Sequence, residues 1–245
     1  MAATRAEFEA AVAAYWGARD DQLTASAIAG AVGAGTAGSV RGGRHFTAMT
    51  ALLARFFLDA GYPLDAIRTS RLGLPGYYRP QKRWDLVVVH NDTLVAAFEL
   101  KSLGGPSFGN NYNNRIEEAL GSAVDLHRAG RAGVIPGERP WLGYLFLMQD
   151  ARGSQEPVRL AEGVFAVDPV WRGHRSYQER FSVFCERLLA EGLYDAVCYL
   201  VSSPEDPTPV EPVVALDWRH FAAAIQARIT FLAALGFPGP WASHA

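Results

Sequence analysis

Residues 84–101 read Trp-Asp-Leu-Val-Val-Val-His-Asn-Asp-Thr-Leu-Val-Ala-Ala-Phe-Glu-Leu-Lys. Both halves of this stretch are apolar and rich in β-branched residues, and they flank an Asn-Asp dipeptide at 91–92. The pattern predicts a strand, a tight loop and a second strand. The charged groups on the two predicted strands are Asp85, Glu99 and Lys101. Because side chains two apart on a strand share a face, Glu99 and Lys101 point the same way.

The length of the loop decides whether Asp85 joins these two groups. A two-residue loop at 91–92 places Asp85 opposite Phe98, so that its side chain faces away from Glu99. A three-residue loop places Asp85 opposite Glu99 instead, because a shift of one residue moves every side chain to the other face. We therefore predict the three-residue loop, or a β-bulge that restores the same register.

Two carboxylates and an ammonium on one face form a site that binds a metal ion and activates water. This is the Asp…Glu-x-Lys arrangement of metal-dependent nucleases, although it also arises by chance on exposed strand faces. Asp85 and Glu99 border apolar runs in which an unpaired charge is unfavourable, and this favours a catalytic role. The scarcity of lysine points the same way. Among 23 Lys and Arg residues only Lys82 and Lys101 are lysines, and a compact ammonium is not interchangeable with a guanidinium beside a water.

The composition is that of a soluble globular protein, with 245 residues of which 49% are hydrophobic and 20% charged. The net charge of −2 excludes polyanion binding by bulk charge, so a nucleic-acid surface would have to be local. No apolar run is long enough to span a membrane, and no signal-peptide pattern is present. Cys185 and Cys198 lie in apolar contexts that indicate buried thiols in a reducing compartment. We predict a cytoplasmic protein without membrane contact.

Helical and strand patterns alternate along the chain. The predicted helices are 3–17, 45–60, 115–128, 176–192 and 217–235, and the strands besides the hairpin are 141–148 and 194–202. Gly61 is placed to end the second helix. This order predicts an α/β fold with a mixed central β-sheet flanked by helices. We predict one domain over 1–245, with a catalytic core at about 45–150 and a helix-strand-helix part at about 151–245.

The segment 25–43 is mostly Ala and Gly, and its stretch Gly33–Gly38 matches the dinucleotide pattern G-x-G-x-x-G. No strand precedes the match and no phosphate-binding lysine follows it, so we reject a nucleotide site. We predict a flexible segment or one packed through small residues.

Two polar stretches flank the predicted carboxylate hairpin. Residues 66–84 contain five cations, the pair Tyr77-Tyr78 and no Asp or Glu, which suits a polyanion lying across the site or, alternatively, a solvated loop whose tyrosines pack on the core. Residues 110–115 contain four asparagines and an arginine, residue types that pair with base edges or phosphates. Asn114, with Glu117 three residues later, also resembles a helix N-cap.

Several runs resemble the XhoI family of type II restriction endonucleases. They are Leu74-Pro-Gly-Tyr-Tyr-Arg-Pro, Trp84-Asp-Leu-Val-Val-Val-His, Glu99-Leu-Lys-Ser, Gly105-Pro-Ser-Phe-Gly-Asn-Asn-Tyr-Asn-Asn-Arg-Ile-Glu-Glu-Ala and Arg139-Pro-Trp-Leu-Gly-Tyr. The resemblance is strong over about 74–148 and weaker at both ends, and the asparagine block is more specific than the Glu-x-Lys motif.

The resemblance implies a PD-(D/E)xK nuclease fold, Mg²⁺ dependence and cleavage within the palindrome CTCGAG to leave 5′ overhangs. Trp84 precedes Asp85 where the name of the motif has proline. On this basis Asp85 and Glu99 would hold Mg²⁺, helped by the Leu100 carbonyl. Lys101 would position the attacking water or help to deprotonate it.

A palindromic target implies double-stranded DNA bound by a two-fold symmetric homodimer, and a host that carries a cognate DNA methyltransferase. The predicted DNA contacts are Arg79, Lys82 and Arg83 to phosphates, and Asn110, Asn111, Asn113, Asn114 and Arg115 to bases or backbone. Two alternatives stay open at this point. One is a catalytically silent DNA-binding protein of the same fold, and the other is a nuclease that recognises DNA structure instead of sequence.

Overall fold

The structure is a computed structural model that describes residues 3–31, 45–69, 73–105, 108–173 and 175–236, and the side chains of these except 22–31. In chain order the elements are α1 (Arg5–Ala31), α2 (Thr47–Asp59), β1 (Ile67–Thr69), β2 (Gly73–Pro75), β3 (Gln81–Arg83), β4 (Leu86–His90), β5 (Thr93–Leu103), α3 (Phe108–Arg131), β6 (Leu142–Gln149), α4 (Arg152–Gln155), α5 (Tyr177–Ala190), β7 (Ala196–Ser202) and α6 (Trp218–Ala234). Single 3₁₀ turns lie at Leu64–Ala66, Pro169–Trp171 and Val214–Leu216.

Five of the strands form a mixed central sheet in the order β1-β4-β5-β6-β7. The pairs β1–β4 and β4–β5 are antiparallel, and the pairs β5–β6 and β6–β7 are parallel. Strands β2 and β3 form a separate two-stranded antiparallel sheet. The predicted α/β fold with a mixed sheet flanked by helices is confirmed, and it is consistent with a restriction-endonuclease-like fold.

Two hydrophobic cores cover the two faces of the central sheet. One core joins α1, α2 and α6 to the face that carries Phe98 and Leu100. The other joins α3 and α5 to the face that carries Ala97 and Leu103. Strands β5 and β6 are buried on both faces, which explains their nearly continuous apolar sequences. Glu99 and Lys101 alternate in phase with Ala97, so they belong to the face covered by α3 and α5.

The hairpin β4–β5 reaches the predicted register through a bulge. His90 pairs with Thr93, so the loop has two residues, and both occupy the left-handed region with φ of 47° at Asn91 and 58° at Asp92. Such a turn favours Asn and Asp at these positions. The pairing then shifts at Val95, the extra residue on β5, and Leu86 lies opposite Phe98. The three-residue loop was wrong, whereas the alternative prediction of a register-restoring bulge is confirmed.

A buried arginine from α6 binds the backbone at this bulge. Arg228 is only 7% exposed, and its Nε–H donates to the Val95 carbonyl oxygen at 3.0 Å. A second nitrogen of the guanidinium lies 3.5 Å from the Leu94 carbonyl oxygen. Burial lowers the pKa of Arg228 below its ordinary value, and hydrogen bonds from a charged donor offset that unfavourable burial. The irregular backbone therefore has a dedicated partner in another element.

We expect Arg228→Met to lower the free energy of unfolding by about 1–3 kcal/mol, because it leaves buried carbonyl groups without a donor. Urea denaturation measures the loss. Arg219→Met, which removes an exposed arginine from the same helix, is the matched control and should change stability by less than about 0.5 kcal/mol. Equal stability of the two variants would contradict a role for Arg228 at the bulge.

Some sequence boundaries were wrong. Helix α1 extends to Ala31, well beyond the predicted end at residue 17, and takes in the start of the 25–43 segment. Residues 32–44, which contain the rejected Gly33–Gly38 match, lie outside the described residues. The basic stretch 66–84 is not a loop throughout, because β1, β2 and β3 lie within it. Gly61 follows α2 with φ of 81°, as expected for the residue after a helix.

The predicted burial of the two cysteines is confirmed. Cys185 and Cys198 are free and buried, and burial raises the pKa of both thiols. Among the residues that the structure describes, no helix is long and apolar enough to cross a membrane.

Candidate active site

Asp85 lies immediately before β4, and its N–H and its carboxylate each form a hydrogen bond with the main chain of β5. Its N–H donates to the Phe98 carbonyl oxygen at 3.1 Å, and its Oδ2 accepts the Leu100 N–H at 2.8 Å. Burial, followed by the neighbouring Glu99 carboxylate, raises the pKa of Asp85 above its ordinary value. The strand that carries Glu99 therefore also fixes Asp85, in a place where a nearby cation would stabilise its negative charge.

Glu99 is the buried centre of the site, with 3% of its surface exposed. Lys101 Nζ forms an ion pair with its Oε1, and Lys82 Nζ forms one with its Oε2. These are the two lysines of the chain, and both contact the same carboxylate. Lys101 comes from β5 itself, whereas Lys82 comes from β3 in the small second sheet.

Lys101 lies between the two carboxylates. Its Nζ contacts Glu99 and is 4.0 Å from Asp85 Oδ2. Burial acts to lower the pKa of Lys101, but the carboxylates of Glu99 and Asp85 outweigh burial and the pKa is raised. The side chain is therefore an ammonium at neutral pH, which suits it to donating hydrogen bonds to a water or a phosphate oxygen more than to accepting a proton.

The donor set fits a hard cation with few protein ligands. Within the described residues no group of three or more His, Cys, Asp or Glu side chains converges, so a closed zinc-type cage has no counterpart there. Magnesium commonly takes one or two carboxylates and completes its shell with waters and substrate phosphates. Asp85 and Glu99 supply two carboxylates. The Leu100 carbonyl faces the same edge of β5 as the Leu100 N–H, which binds Asp85.

Arg79 is held by a buried carboxylate on α3. Its Nε–H donates to Asp125 Oδ2 at 2.8 Å, and the N–H groups of Tyr77 and Tyr78 donate to Asp125 Oδ1 at 2.8 and 2.7 Å. The loop also approaches closely at Gly76, where a Cβ would lie 2.4 Å from Asp125 Oδ2. Asp125 therefore fastens the loop between β2 and β3 to α3, and Arg79, whose side chain is 43% exposed, is part of that attachment.

We expect Asp125→Ala to lower the free energy of unfolding by about 3 kcal/mol, since it removes three hydrogen bonds, one of them from a guanidinium. Chemical denaturation measures this loss, and proteolysis of the loop at 76–80 should become faster. Asp125→Asn is the matched variant, because it keeps acceptor capacity without the charge and should lose only about 1 kcal/mol. A loss for Asp125→Ala no larger than for Asp125→Asn would show that the carboxylate does not hold the loop.

The other predicted phosphate contacts occupy different environments. Arg83 is exposed, which fits its predicted contact with DNA. Lys82 points instead to Glu99, and its Nζ also donates to the Arg83 carbonyl oxygen at 3.1 Å and lies 4.2 Å from the Trp84 ring centroid. At the loop tip the rings of Tyr77 and Tyr78 form an edge-to-face pair and are 46% and 69% exposed. These tyrosines are therefore at the surface and not buried in the core.

The asparagine block lies inside α3. This helix begins at Phe108 and not at 115, so the N-cap interpretation of Asn114 was wrong. Phe108 is buried and packs near Tyr177 of α5, with ring centroids 6.3 Å apart. Three of the four asparagines are exposed and Asn111 is half-buried. The exposed members are Asn110, Asn113 and Asn114.

Arg115, at the end of this block, links α3 to the strand that carries the site. Its Nε–H donates to the Ser102 carbonyl oxygen at 3.3 Å, and its Nη1 pairs with Glu118 at 2.5 Å. Ser102 directly follows Lys101, so the first turns of α3 lie beside the end of β5 at the site. The predicted DNA contacts of Arg115 and the asparagines stay predictions.

Comparison with known proteins identifies the family. The family model for the restriction endonuclease XhoI matches residues 26–210, about three quarters of the chain. The chain belongs to this family. It is therefore a type II restriction endonuclease, a site-specific deoxyribonuclease, and the matched residues include Lys82, Asp85, Glu99 and Lys101.

Curated relatives of the XhoI family agree with this assignment. The type II restriction enzyme BstVI of Geobacillus stearothermophilus is 41% identical over 178 residues, which cover 70% of this chain and 79% of that protein. The type II restriction enzyme XhoI of Xanthomonas vasicola is 41% identical over 162 residues, covering 64% of this chain and 65% of that protein. AbrI of Azospirillum brasilense is 46% identical over 111 residues, covering 45% and 50%. No solved structure matches this XhoI-family chain.

Sequence reasoning missed two residues that organise the site. Lys82 was predicted to contact phosphate, and its ion pair with Glu99 in the structure was not foreseen. Asp125 was passed over as part of an amphipathic helix. Its signal was a charge among the apolar positions of that helix, where Ala123 and Leu126 are also buried. A buried carboxylate on a core-facing stripe needs partners, and here those partners lie in the preceding loop.

Proposed function

We propose that this XhoI-family endonuclease requires Mg²⁺ and cleaves double-stranded DNA within CTCGAG, leaving 5′ overhangs. The specificity rests on 41% identity to the relative named XhoI. The observation that carries the chemistry is the bulged hairpin. Its register brings Leu86 opposite Phe98, Asp85 lies 4.0 Å from Lys101, and Lys101 contacts Glu99.

The residues of the site would have separate roles in metal binding and in positioning the attacking water. Asp85 and Glu99, with the Leu100 carbonyl, would hold the metal. A magnesium ion lowers the pKa of a bound water and offsets the charge of the scissile phosphate. Lys101, as an ammonium already in place, would hold the attacking water and donate a hydrogen bond to a phosphate oxygen, where negative charge develops in the transition state.

The DNA would run across the end of β5, between the β2–β3 loop and the first turns of α3. On one side, Arg83 and the partly exposed Arg79 would contact phosphates. On the other side, the contacts to bases or backbone would come from Asn110, Asn111, Asn113, Asn114 and Arg115. Attachment of the loop to α3 through Asp125 would keep these two surfaces at a fixed separation.

The assembly follows from the target. A palindrome presents each strand with the same sequence, so a homodimer with one site per strand matches its two-fold symmetry. We propose one endonuclease domain over 1–245, since α6 from the C-terminal part packs on the same sheet as the catalytic hairpin. We propose a cytoplasmic location, and a cognate methyltransferase in the host that protects its DNA.

Two linear duplexes that differ by one base pair within CTCGAG test this function. Each is incubated with the protein in Mg²⁺ and in EDTA, and the fragment ends are sequenced. We expect cleavage of the CTCGAG duplex alone, in Mg²⁺ alone, with 5′ overhangs. Discrete cleavage of both duplexes at another sequence would show that the enzyme recognises that sequence instead of CTCGAG. Preference for branched DNA would favour a structure-specific nuclease, and metal-independent binding without cleavage would favour a silent DNA-binding protein.

A further inference from the structure

Lys82 is far more enclosed than a residue that only contacts the DNA backbone would need to be. Its side chain is 13% exposed, against 23% for Lys101 and 29% for Asp85. The ammonium contacts Glu99 Oε2 and the Arg83 carbonyl, and it lies over the Trp84 ring. These contacts place Lys82 in the active site of the free protein.

The charges of the site balance when Lys82 is included. Asp85 and Glu99 contribute two negative charges, and Lys82 and Lys101 contribute two positive charges. Each oxygen of Glu99 already has an ammonium partner. A divalent cation can bind Glu99 only by displacing one of these lysines or by accepting repulsion from both, and either raises the free energy of binding.

The two lysines are carried by different sheets, and this indicates which of them would move away from Glu99. Lys101 is two residues from Glu99 on a central strand that is paired on both sides. Lys82 reaches Glu99 from β3, whose one strand partner among the described residues is β2 in the separate two-stranded sheet. The side chain of Lys82 can therefore turn away from Glu99 without any change in the central sheet.

We propose that Lys82 is a further active-site residue, which occupies Glu99 in the free enzyme and competes with the metal for it. The inference rests on the proposed assignment of Glu99 as a metal ligand. With Glu99 holding a metal, the Lys82 ammonium would be free to contact the DNA backbone. Metal and DNA then each favour the binding of the other, because coupling between two ligands is reciprocal. The free enzyme accordingly holds metal weakly.

Binding of Mn²⁺ to the full-length protein without DNA tests the proposal. Electron paramagnetic resonance counts free Mn²⁺, which shares the preference of Mg²⁺ for oxygen ligands. We expect Lys82→Met to bind Mn²⁺ about tenfold more tightly than wild type, since one competing charge has been removed. Lys82→Arg retains the positive charge that competes with the metal, so its Mn²⁺ affinity should stay within about twofold of wild type. Arg83→Met, which removes the adjacent exposed cation, should also stay within about twofold if contact with Glu99, and not general charge, matters.

The result that overturns the proposal is Mn²⁺ binding by Lys82→Met that is unchanged or weaker than wild type. An equal gain for Arg83→Met would overturn it too, because the effect would then be general electrostatics. Circular dichroism checks the fold, and Lys82→Gln serves in place of Lys82→Met if the latter unfolds. Wild-type digestion of the CTCGAG duplex in Mg²⁺ is measured in parallel, so the proposal can fail while the proposed function stands. Absence of Mn²⁺ binding by all variants would overturn both the metal assignment and the proposal.

Discussion

Lys101→Ala is expected to cleave CTCGAG DNA at least about 10³-fold more slowly than wild type in a single turnover at saturating Mg²⁺. The ammonium contacts Glu99 and lies 4.0 Å from Asp85, so a group that bridges both carboxylates is lost. Its proposed hydrogen bonds, to the attacking water and a phosphate oxygen, matter most in the transition state, so their loss appears in the rate. Rapid-quench kinetics with the enzyme in molar excess over DNA measure the cleavage step separately from product release.

Control measurements separate the proposed catalytic role of Lys101 from a role in DNA binding and from the effect of positive charge alone. In EDTA, Lys101→Ala should retain DNA binding within about threefold of wild type, because other cations make the proposed phosphate contacts. Arg219→Met, which removes an exposed cation from α6, should cleave at the wild-type rate. Lys101→Arg should also be slow, since a planar guanidinium does not replace a compact ammonium. A rate for Lys101→Ala within tenfold of wild type would mean that Lys101 serves only to neutralise Glu99.

The β4–β5 hairpin could be predicted because its sequence signals are local. Two apolar runs around Asn-Asp specify strands and a tight turn, and strand alternation puts Glu99 and Lys101 on one face. The position of the bulge was not predictable in the same way. Arg228 binds the bulged backbone from a helix more than 130 residues further along the chain, and a pattern within a short window carries no trace of that partner.

Short strands and tertiary contacts account for what was missed. Strands β2 and β3 have three residues each, too few for an alternating pattern to be recognised. Their sheet brings Lys82 to Glu99, while Asp125 anchors their loop from α3. In each case the sequence suggested an exposed polar side chain. Its partner lies in a distant segment of the chain and contacts it only in the folded protein.

The start of α3 shows how tertiary packing overrides local preference. Asparagine is a weak helix former, and so the block at 110–114 favoured a cap followed by a helix. Buried Phe108 and half-buried Tyr112 instead pack against aromatic rings of α5. This packing extends α3 back to Phe108 and stabilises asparagines in a helical turn that their propensity alone would not favour.

Glu99→Gln is expected both to abolish cleavage and to lower the free energy of unfolding by about 3 kcal/mol. Glutamine has nearly the same shape, but it removes the negative charge between Lys82 and Lys101. The two partly buried ammonium groups are then left close together around a neutral amide, and Asp85 lies 4.0 Å from Lys101. Urea denaturation of metal-free protein measures the loss, and the CTCGAG duplex measures cleavage.

Asp85→Asn is the matched variant, with the opposite expectation for stability. A raised pKa means that the ionised carboxylate of Asp85 is less favourable in the folded than in the unfolded protein. At a pH above that raised pKa, ionised Asp85 therefore lowers the stability of the folded protein. Asparagine removes the charge and can still accept the Leu100 N–H, so the variant should be at least as stable as wild type. The difference in stability between Asp85→Asn and wild type should vanish as the pH falls below the ordinary aspartate pKa, where Asp85 is protonated in both the folded and the unfolded protein.

Cleavage by Asp85→Asn should be lost as fully as in Glu99→Gln, since a proposed metal ligand is lost in each. Equal destabilisation of the two variants would show that the lysines do not depend on Glu99 for their charge balance.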